Sequence, residues 1–383
     1  PRMRRWGFWT LASLIWMSLL AASTTVKAQS MAEQVEAFLE KSHQDSLFNG
    51  SALIAHNGEV IFKGGFGEAD MSWHIPNTSD TKFRIGSSTK QFTAALVLTL
   101  VEDGKIDLQG KVTDYLPDYP RPQGDRIKIH HLLSHTSGIP NYTSLAGFMS
   151  DAVRDPFEVD SLVALFSGLD LSFEPGSQWA YSNSNYILLG AIIEAVTGKP
   201  YAEALREQIL DPLGLEDTGY DHYEDVLDEQ AVGYYKANDG YRRAPYLDTS
   251  VPYAAGGLYS TVEDLYKWDQ SLYGNGPFKH PETKTLMFTP HATIPAALVE
   301  EAGLPPNYGY GWFVGDVPVA GDTVKVIEHG GMTFGFATAF MRMPDDQNTI
   351  ILLDNTMSRS IRQVGRGVMS ILYGEMPPKQ LRK

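Results

Sequence analysis

Apolar positions recur at helical spacing from Met31 to Lys41, and the period then changes to two in Ser51 to Ala55 and in Glu59 to Lys63. Asn57-Gly58 joins those two runs, and both residues tolerate the positive φ of a type I′ turn, so the chain opens with a helix and an antiparallel hairpin. Thr81 to Ile85 reads as a short extended piece. From Ser87 the pattern turns helical, carrying Phe92, Leu96, Leu98 and Leu100 to a C-terminal cap at Gly104. Residues 105 to 287 hold short helical patterns between Pro, Gly, Asn and Asp turns, among them Asn185 to Thr197 and Lys199 to Ile209. Ser260 to Glu263 reads as a capping box opening a helix with Leu265 and Trp268. Strand patterns return at Tyr308 to Val314, Val324 to Glu328, Phe336 to Arg342 and Thr349 to Leu353, before a closing helix over Ser360 to Tyr373. Strands at both ends with helices between predict an α/β (α+β) fold. One antiparallel sheet is built from both termini and flanked by helices, and it carries a largely helical inserted domain. The expected division is an α/β part over 29–104 and 305–378 and a helical part over 105–304.

Residues 1–28 belong to neither part. Arg2, Arg4 and Arg5 precede an apolar run from Trp6 to Ala22, and Val26-Lys27-Ala28 places small residues at −3 and −1. That is the pattern of a signal peptide cleaved before Gln29, and it predicts a periplasmic or secreted protein, membrane-attached only if the signal is retained. At 383 residues, 43% apolar and 20% charged, the chain is long enough to bury a substantial core. It contains no cysteine, so disulfides, thiolate metal sites and cysteine nucleophiles are excluded and hydroxyl or metal chemistry remains. Removing residues 1–28 leaves 27 basic against 46 acidic side chains, a net charge of −19, which disfavours nucleic acid as a partner.

A serine hydroxyl is a useful nucleophile only beside a base that is free at neutral pH. Ser87-Ser88-Thr89-Lys90 supplies one, because residues three apart share a helical face and burial lowers the pKa of a lysine. Ser79-Asp-Thr-Lys82 has the same spacing but lies in a polar turn before an extended segment, where the two side chains do not share a face. Two further elements follow in order: Tyr181-Ser182-Asn183 in the helical region, and His329-Gly330-Gly331 at the end of a late strand. Tyr273-Gly-Asn275 and His56-Asn-Gly58 repeat these spacings, the first at the end of a helix and the second in the hairpin turn.

Taken in order, the three elements resemble the active-site set of the serine β-lactamase and penicillin-binding-protein family, S-x-x-K, Y-x-N and the H-x-G variant of K-T-G. Val101 to Leu108, His131 to Gly138, Pro212 to Leu215 and Gly256 to Asp264 resemble stretches of the branch related to class C β-lactamases, which includes D-amino-acid peptidases, carboxylesterases and D-Ala-D-Ala carboxypeptidases; the similarity spans roughly residues 31 to 375. The resemblance implies Ser87 as nucleophile, with Lys90 and Tyr181 sharing proton transfer and either serving as the acylation base. Asn183 would hold the substrate amide or the Lys90 ammonium. His329, Gly330 and Gly331 would line the substrate site, and the backbone N–H groups of Ser87 and Met332 would form the oxyanion hole. No cofactor and no metal is implied.

The expected function is therefore an exported serine hydrolase cleaving esters, amides or peptides through an acyl-enzyme, of esterase or D-amino-acid peptidase type. A class C-like β-lactamase or D-Ala-D-Ala carboxypeptidase is the alternative. The partner is a small-molecule or peptide substrate, peptidoglycan-derived peptides included. A non-catalytic peptidoglycan-binding protein is the competing class, and an intact Ser87, Lys90 and Tyr181 set argues against it. Histidine at 329 replaces a permanently charged lysine. With an ordinary pKa near 6.5 it would be only partly cationic at neutral pH, so carboxylate-bearing substrates are expected to bind poorly and to improve toward pH 6. His130, His131 and His135 invite a metal reading, but Leu-Leu-Ser between the last two lacks the glutamate base of zinc proteases, and the pair is expected to help end a helix before Gly138. The absence of a G-x-S-x-G elbow argues against an α/β-hydrolase.

Overall fold

The computed structural model describes residues 31–375 and 377, so the signal-peptide reading of 1–28 falls outside the described residues. Helix α1 spans residues 31–44. Strands β1 (Gly50–His56) and β2 (Glu59–Phe66) meet through Asn57 and Gly58 at φ 51° and 80°, both in the left-handed region that the type I′ turn requires. The other strands of the large sheet come late in the chain: β3 (Ala292–Thr293), β4 (Asn307–Tyr308), β5 (Phe313–Val319), β6 (Asp322–Glu328), β7 (Gly331–Thr333), β8 (Phe336–Met343) and β9 (Asn348–Asp354). Their order is β3-β4-β5-β6-β8-β9-β1-β2, with β7 on β8, and every pairing is antiparallel. The two ends of the chain join where β1 pairs with β9, Gly50 opposite Asp354 and Ala55 opposite Thr349.

Both faces of this sheet are covered, which is why β9 is apolar without alternation. Ile350 and Leu352 pack with Val35 and Leu39 of α1 and with Val364 and Val368 of the closing helix (Ile361–Leu372). Ile351 and Leu353 point the other way, into the main core with Phe92, Leu96 and, from the helical region, Ile187. At the centre of that core lies α2 (Thr89–Glu102), buried on all sides from Thr89 to Leu100, as a helix without a polar stripe must be.

Three local readings are corrected. The helix of Leu265 and Trp268 (Val262–Ser271) is capped by Thr261, whose hydroxyl accepts from Asp264 N at 3.1 Å, while Ser260 ends a strand. The run Tyr308 to Val314 is two strands, because Gly309 N–H donates to Trp312 O at 2.8 Å and Gly311 takes φ 78°, folding β5 back on β4. His131 and His135 do not share a helical face: the helix Ile129–Leu133 has ended and His135 sits at φ 57°.

The helix Val262–Ser271 is tied to the sheet by a buried ion pair. Arg342 Nε donates to Asp269 Oδ1 at 2.7 Å and Thr349 Oγ1 to Oδ2 at 2.8 Å, with Asp269 fully buried. Deleting one partner strands the other charge without water. Asp269→Ala is expected to lower unfolding free energy by about 3–5 kcal/mol in urea titrations at unchanged slope. A loss below about 1 kcal/mol would mean that the guanidinium finds water and the pair is dispensable.

Candidate active site

The site begins where β-structure hands over to α2. Gly86 to Ser88 form one 3₁₀ turn, placing Ser87 at the head of the helix and Lys90 one turn in. Lys90 is completely buried, and its Nζ lies 3.1 Å from Ser87 Oγ, 2.8 Å from Asn183 Oδ1 and 2.7 Å from the Ala255 carbonyl. Burial holds its pKa well below the ordinary lysine value. Asn183 is the first residue of the helix Asn183–Thr197, and its backbone N–H donates to Asn141 Oδ1 at 3.1 Å. Ala255 belongs to the turn Tyr253–Gly256, which is pinned to α2 by Thr93 Oγ1 donating to Ala254 O at 2.7 Å.

Tyr181 lies within hydrogen-bonding reach of Ser87, and burial pushes its pKa up, so the phenol stays protonated. Its ring packs on His135, centroids 4.4 Å apart, and the Lys90 amine lies 4.9 Å from its centroid. His135 accepts from Ser182 N at 3.3 Å and Asn185 Nδ2 at 3.1 Å through Nδ1, which places the proton of the neutral ring on Nε2. The histidine read as a helix terminator is thus a buried wall behind Tyr181.

Strand β7 packs directly onto the turn of Ser87. Ser88 Oγ donates to His329 O at 3.0 Å. A Cβ at Gly331 would stand 1.9 Å from Ile85 O and 2.9 Å from Ser87 N, and one at Gly86, which has φ 52°, would stand 2.8 Å from Met332 N. Only glycine fits either position, and the contact brings the Ser87 and Met332 backbone segments together. Gly330 is bounded by Thr338 O, 2.8 Å from where its Cβ would lie.

His329 departs from expectation. It is 2% exposed; Nδ1–H donates to Gly330 O at 2.7 Å, so Nε2 accepts from the Tyr308 hydroxyl at 3.1 Å. Burial first, and then the nearby Lys90, hold its pKa at about 3 rather than 6.5. The imidazole is neutral throughout the working range, so no gain in carboxylate binding toward pH 6 can come from it. Neither it nor Gly330 or Gly331 lines the cavity beside Ser87. That cavity, about 280 Å³, is bounded by Ser87 and Asn183 and by Tyr142, Leu247, Val251 and Phe334, and no charged side chain lines it. The apolar lining residues were missed in the sequence because nothing in their spacing separates them from core. The repeated spacings lie elsewhere: Ser79 is half-buried and bonds Asp80, and Asn57 with Gly58 form the hairpin turn. His130 meets Tyr310 at 2.6 Å, and among the described residues no cluster of three ligating side chains could hold a metal.

The family model described as Beta-lactamase matches residues 31–369. The chain belongs to the beta-lactamase family. It is 31% identical over 331 residues to the putative penicillin-binding protein PbpX of Bacillus subtilis, covering 86% of this chain and 76% of that protein. It is 29% identical over 362 residues to the esterase EstB of Burkholderia gladioli, covering 82% and 88%. Among solved structures, the octameric penicillin-binding protein homologue from Pyrococcus abyssi superposes with a TM-score of 0.76 at 28% identity over 91% of this chain and 79% of that one. The D-amino acid amidase from Ochrobactrum anthropi gives 0.75 at 25% over 90% and 98%. This family member is a serine hydrolase in the general sense its relatives share.

Gly331→Ala tests the contact of β7 with the turn. The added methyl must displace Met332 N–H from Ser87, and kcat/KM is expected to fall about 10²–10³-fold, the effect of losing one oxyanion donor, while the far-ultraviolet spectrum is retained. Undiminished activity would remove β7 from the site.

Proposed function

We propose that this protein is exported and hydrolyses esters or amides whose acyl groups are apolar and uncharged, through an acyl-enzyme on Ser87. The observation that carries the reading is the set of contacts around Lys90 Nζ. A neutral amine has two hydrogens and one lone pair. The Asn183 and Ala255 oxygens can only accept, so they take both hydrogens, and the lone pair is left for the Ser87 hydroxyl. Lys90 is on this reading the acylation base. Its proton uptake lets Oγ bond to the carbonyl carbon, and the carbonyl oxygen becomes an oxyanion held by the Ser87 and Met332 N–H groups. The new ammonium keeps its two carbonyl partners and faces the Tyr181 ring. Collapse expels the alcohol or amine, which takes the Tyr181 proton, and the Lys90 ammonium returns a proton to the phenolate. Water then attacks the acyl ester, its proton passing to the same groups, and Ser87 is regenerated.

The substrate class follows from the cavity. With no charged side chain on its lining and His329 neutral, a carboxylate next to the scissile bond gains no charge-assisted partner, which is worth roughly 1.5–3 kcal/mol. Neutral nitrophenyl esters or D-amino-acid amides should be turned over about tenfold to a hundredfold more efficiently than a chromogenic cephalosporin. Equal efficiency at pH 8 would overturn the assignment.

Ser87→Ala should abolish turnover and fluorophosphonate labelling with folding intact, whereas Ser79→Ala should retain both. Full activity in the Ser87 variant would exclude it as nucleophile. The pH dependence has a defined sign. Protonated Lys90 has no lone pair, so kcat/KM for a neutral ester should fall about tenfold per unit as pH drops below its lowered pKa. His329, at about 3, adds no second inflection between pH 5 and 8. A profile rising toward pH 6 would contradict the base assignment.

A further inference from the structure

A second cavity of about 320 Å³ shares the Phe334 wall with the cavity at Ser87. Phe334 directly follows β7, two residues past Met332, so the two spaces meet at the residue that ends the strand closing on the nucleophile. The second cavity is chemically unlike the first. Tyr223 and Tyr246 stand edge to face, centroids 5.3 Å apart, and are 72% and 40% exposed, an unusual amount of aromatic surface to leave in water. Arg243 ends the small hairpin Tyr234–Ala237/Gly240–Arg243 and has no ion-pair partner among the described residues, whereas its neighbour Arg242 pairs with Asp239. The remaining charges on the lining are Arg84 and Asp221, which neutralise each other, and Asp225, which has no ion-pair partner among the described residues.

We infer that this groove is a subsite for the leaving-group side of the substrate, and that it takes an aromatic ring carrying a remote carboxylate. The inference rests on the hydrolase reading above: once an apolar acyl chain fills the uncharged cavity, what remains for the groove across Phe334 is the alcohol or amine portion. The exposed tyrosine faces stack on a ring, and the unpaired guanidinium donates from its fork to a carboxylate. Asp225 opposes that anion. Carboxylates adjacent to the scissile bond and carboxylates at the far end of the leaving group are thus treated oppositely.

The test uses two hexanoyl aryl esters, of 3-(4-hydroxyphenyl)propanoic acid and of its primary amide, whose phenols have nearly equal leaving ability. The wild-type ratio of kcat/KM, acid over amide, should exceed one. Arg243→Gln should lower that ratio about tenfold to a hundredfold, and Asp225→Asn should raise it about twofold to fivefold. Opposite shifts from two residues of one groove exclude a common folding defect. A ratio unmoved by Arg243→Gln overturns the subsite. If neither ester is cleaved, the hydrolase reading on these esters fails by itself. The groove is then judged by calorimetry with the uncleavable hexyl ethers of the same two phenols, where equal affinity for acid and amide, or no loss in Arg243→Gln, overturns it.

Discussion

An amine held without water in the first turn of a buried helix is the constraint around which this molecule is arranged. Lys90 occupies a helix whose every residue from Thr89 to Leu100 is buried, and an ammonium there would forfeit its hydration. The fold answers with two carbonyl oxygens from distant parts of the chain, Asn183 at the start of one helix and Ala255 in a tight turn, and with the Ser87 hydroxyl from its own helix. The site therefore exists only when the helical region has closed on α2. Gly190 shows how closely: a Cβ there would lie 2.3 Å from the ring of Tyr253, which opens the turn of Ala255.

The same burial links the site to stability, with a sign that follows from proton counting. Lys90 is neutral when folded and charged when unfolded between its lowered value and 10.5, so unfolding takes up a proton and stability falls as pH falls through that window. His329, neutral down to about 3 when folded, adds the same trend below 6.5. Asp354 opposes it. Burial raises this carboxyl to about 6 despite hydrogen bonds from Asn49 N, Thr356 N and Ser358 N, so it favours the folded state at low pH and that contribution is lost as pH rises from 3.8 toward 6. Acid therefore weakens the folded state through Lys90 and the histidine while Asp354 partly offsets them.

Legibility in the sequence tracked the range of the interactions. The Asn57-Gly58 hairpin is set by two φ angles, and the central sheet strands are short apolar runs bounded by turn residues, so both can be read locally. Ser87 and Lys90 are one helical turn apart and equally local. The cap at Thr261 in place of Ser260 turns on a one-residue difference in strand length, and the break at Gly309 to Trp312 on a tight reversal inside an apolar run, neither of which periodicity resolves. Ala255 was invisible as a site residue because its contribution is a backbone carbonyl, which any amino acid carries. Tyr142, Leu247 and Val251 look like core because they are also packed as core; only the tertiary fold leaves one side of them facing a cavity.

His329 carries the most instructive difference, since its residue type was read correctly and its charge was not. An ordinary histidine would have offered a partial cation that grows in acid. In the fold, the imidazole donates its Nδ1–H to Gly330 O, accepts from Tyr308 and lies near enough to Lys90 for that amine to disfavour its charged form. A permanently charged lysine at 329 would place a second cation in the same dry region. Holding two ammonium groups there would press the Lys90 pKa still lower or draw water in. A residue that can become neutral avoids that conflict. The dehydration that frees the Lys90 lone pair for Ser87 is the dehydration that leaves His329 uncharged, so activation of the nucleophile and indifference to a neighbouring carboxylate are two consequences of one environment.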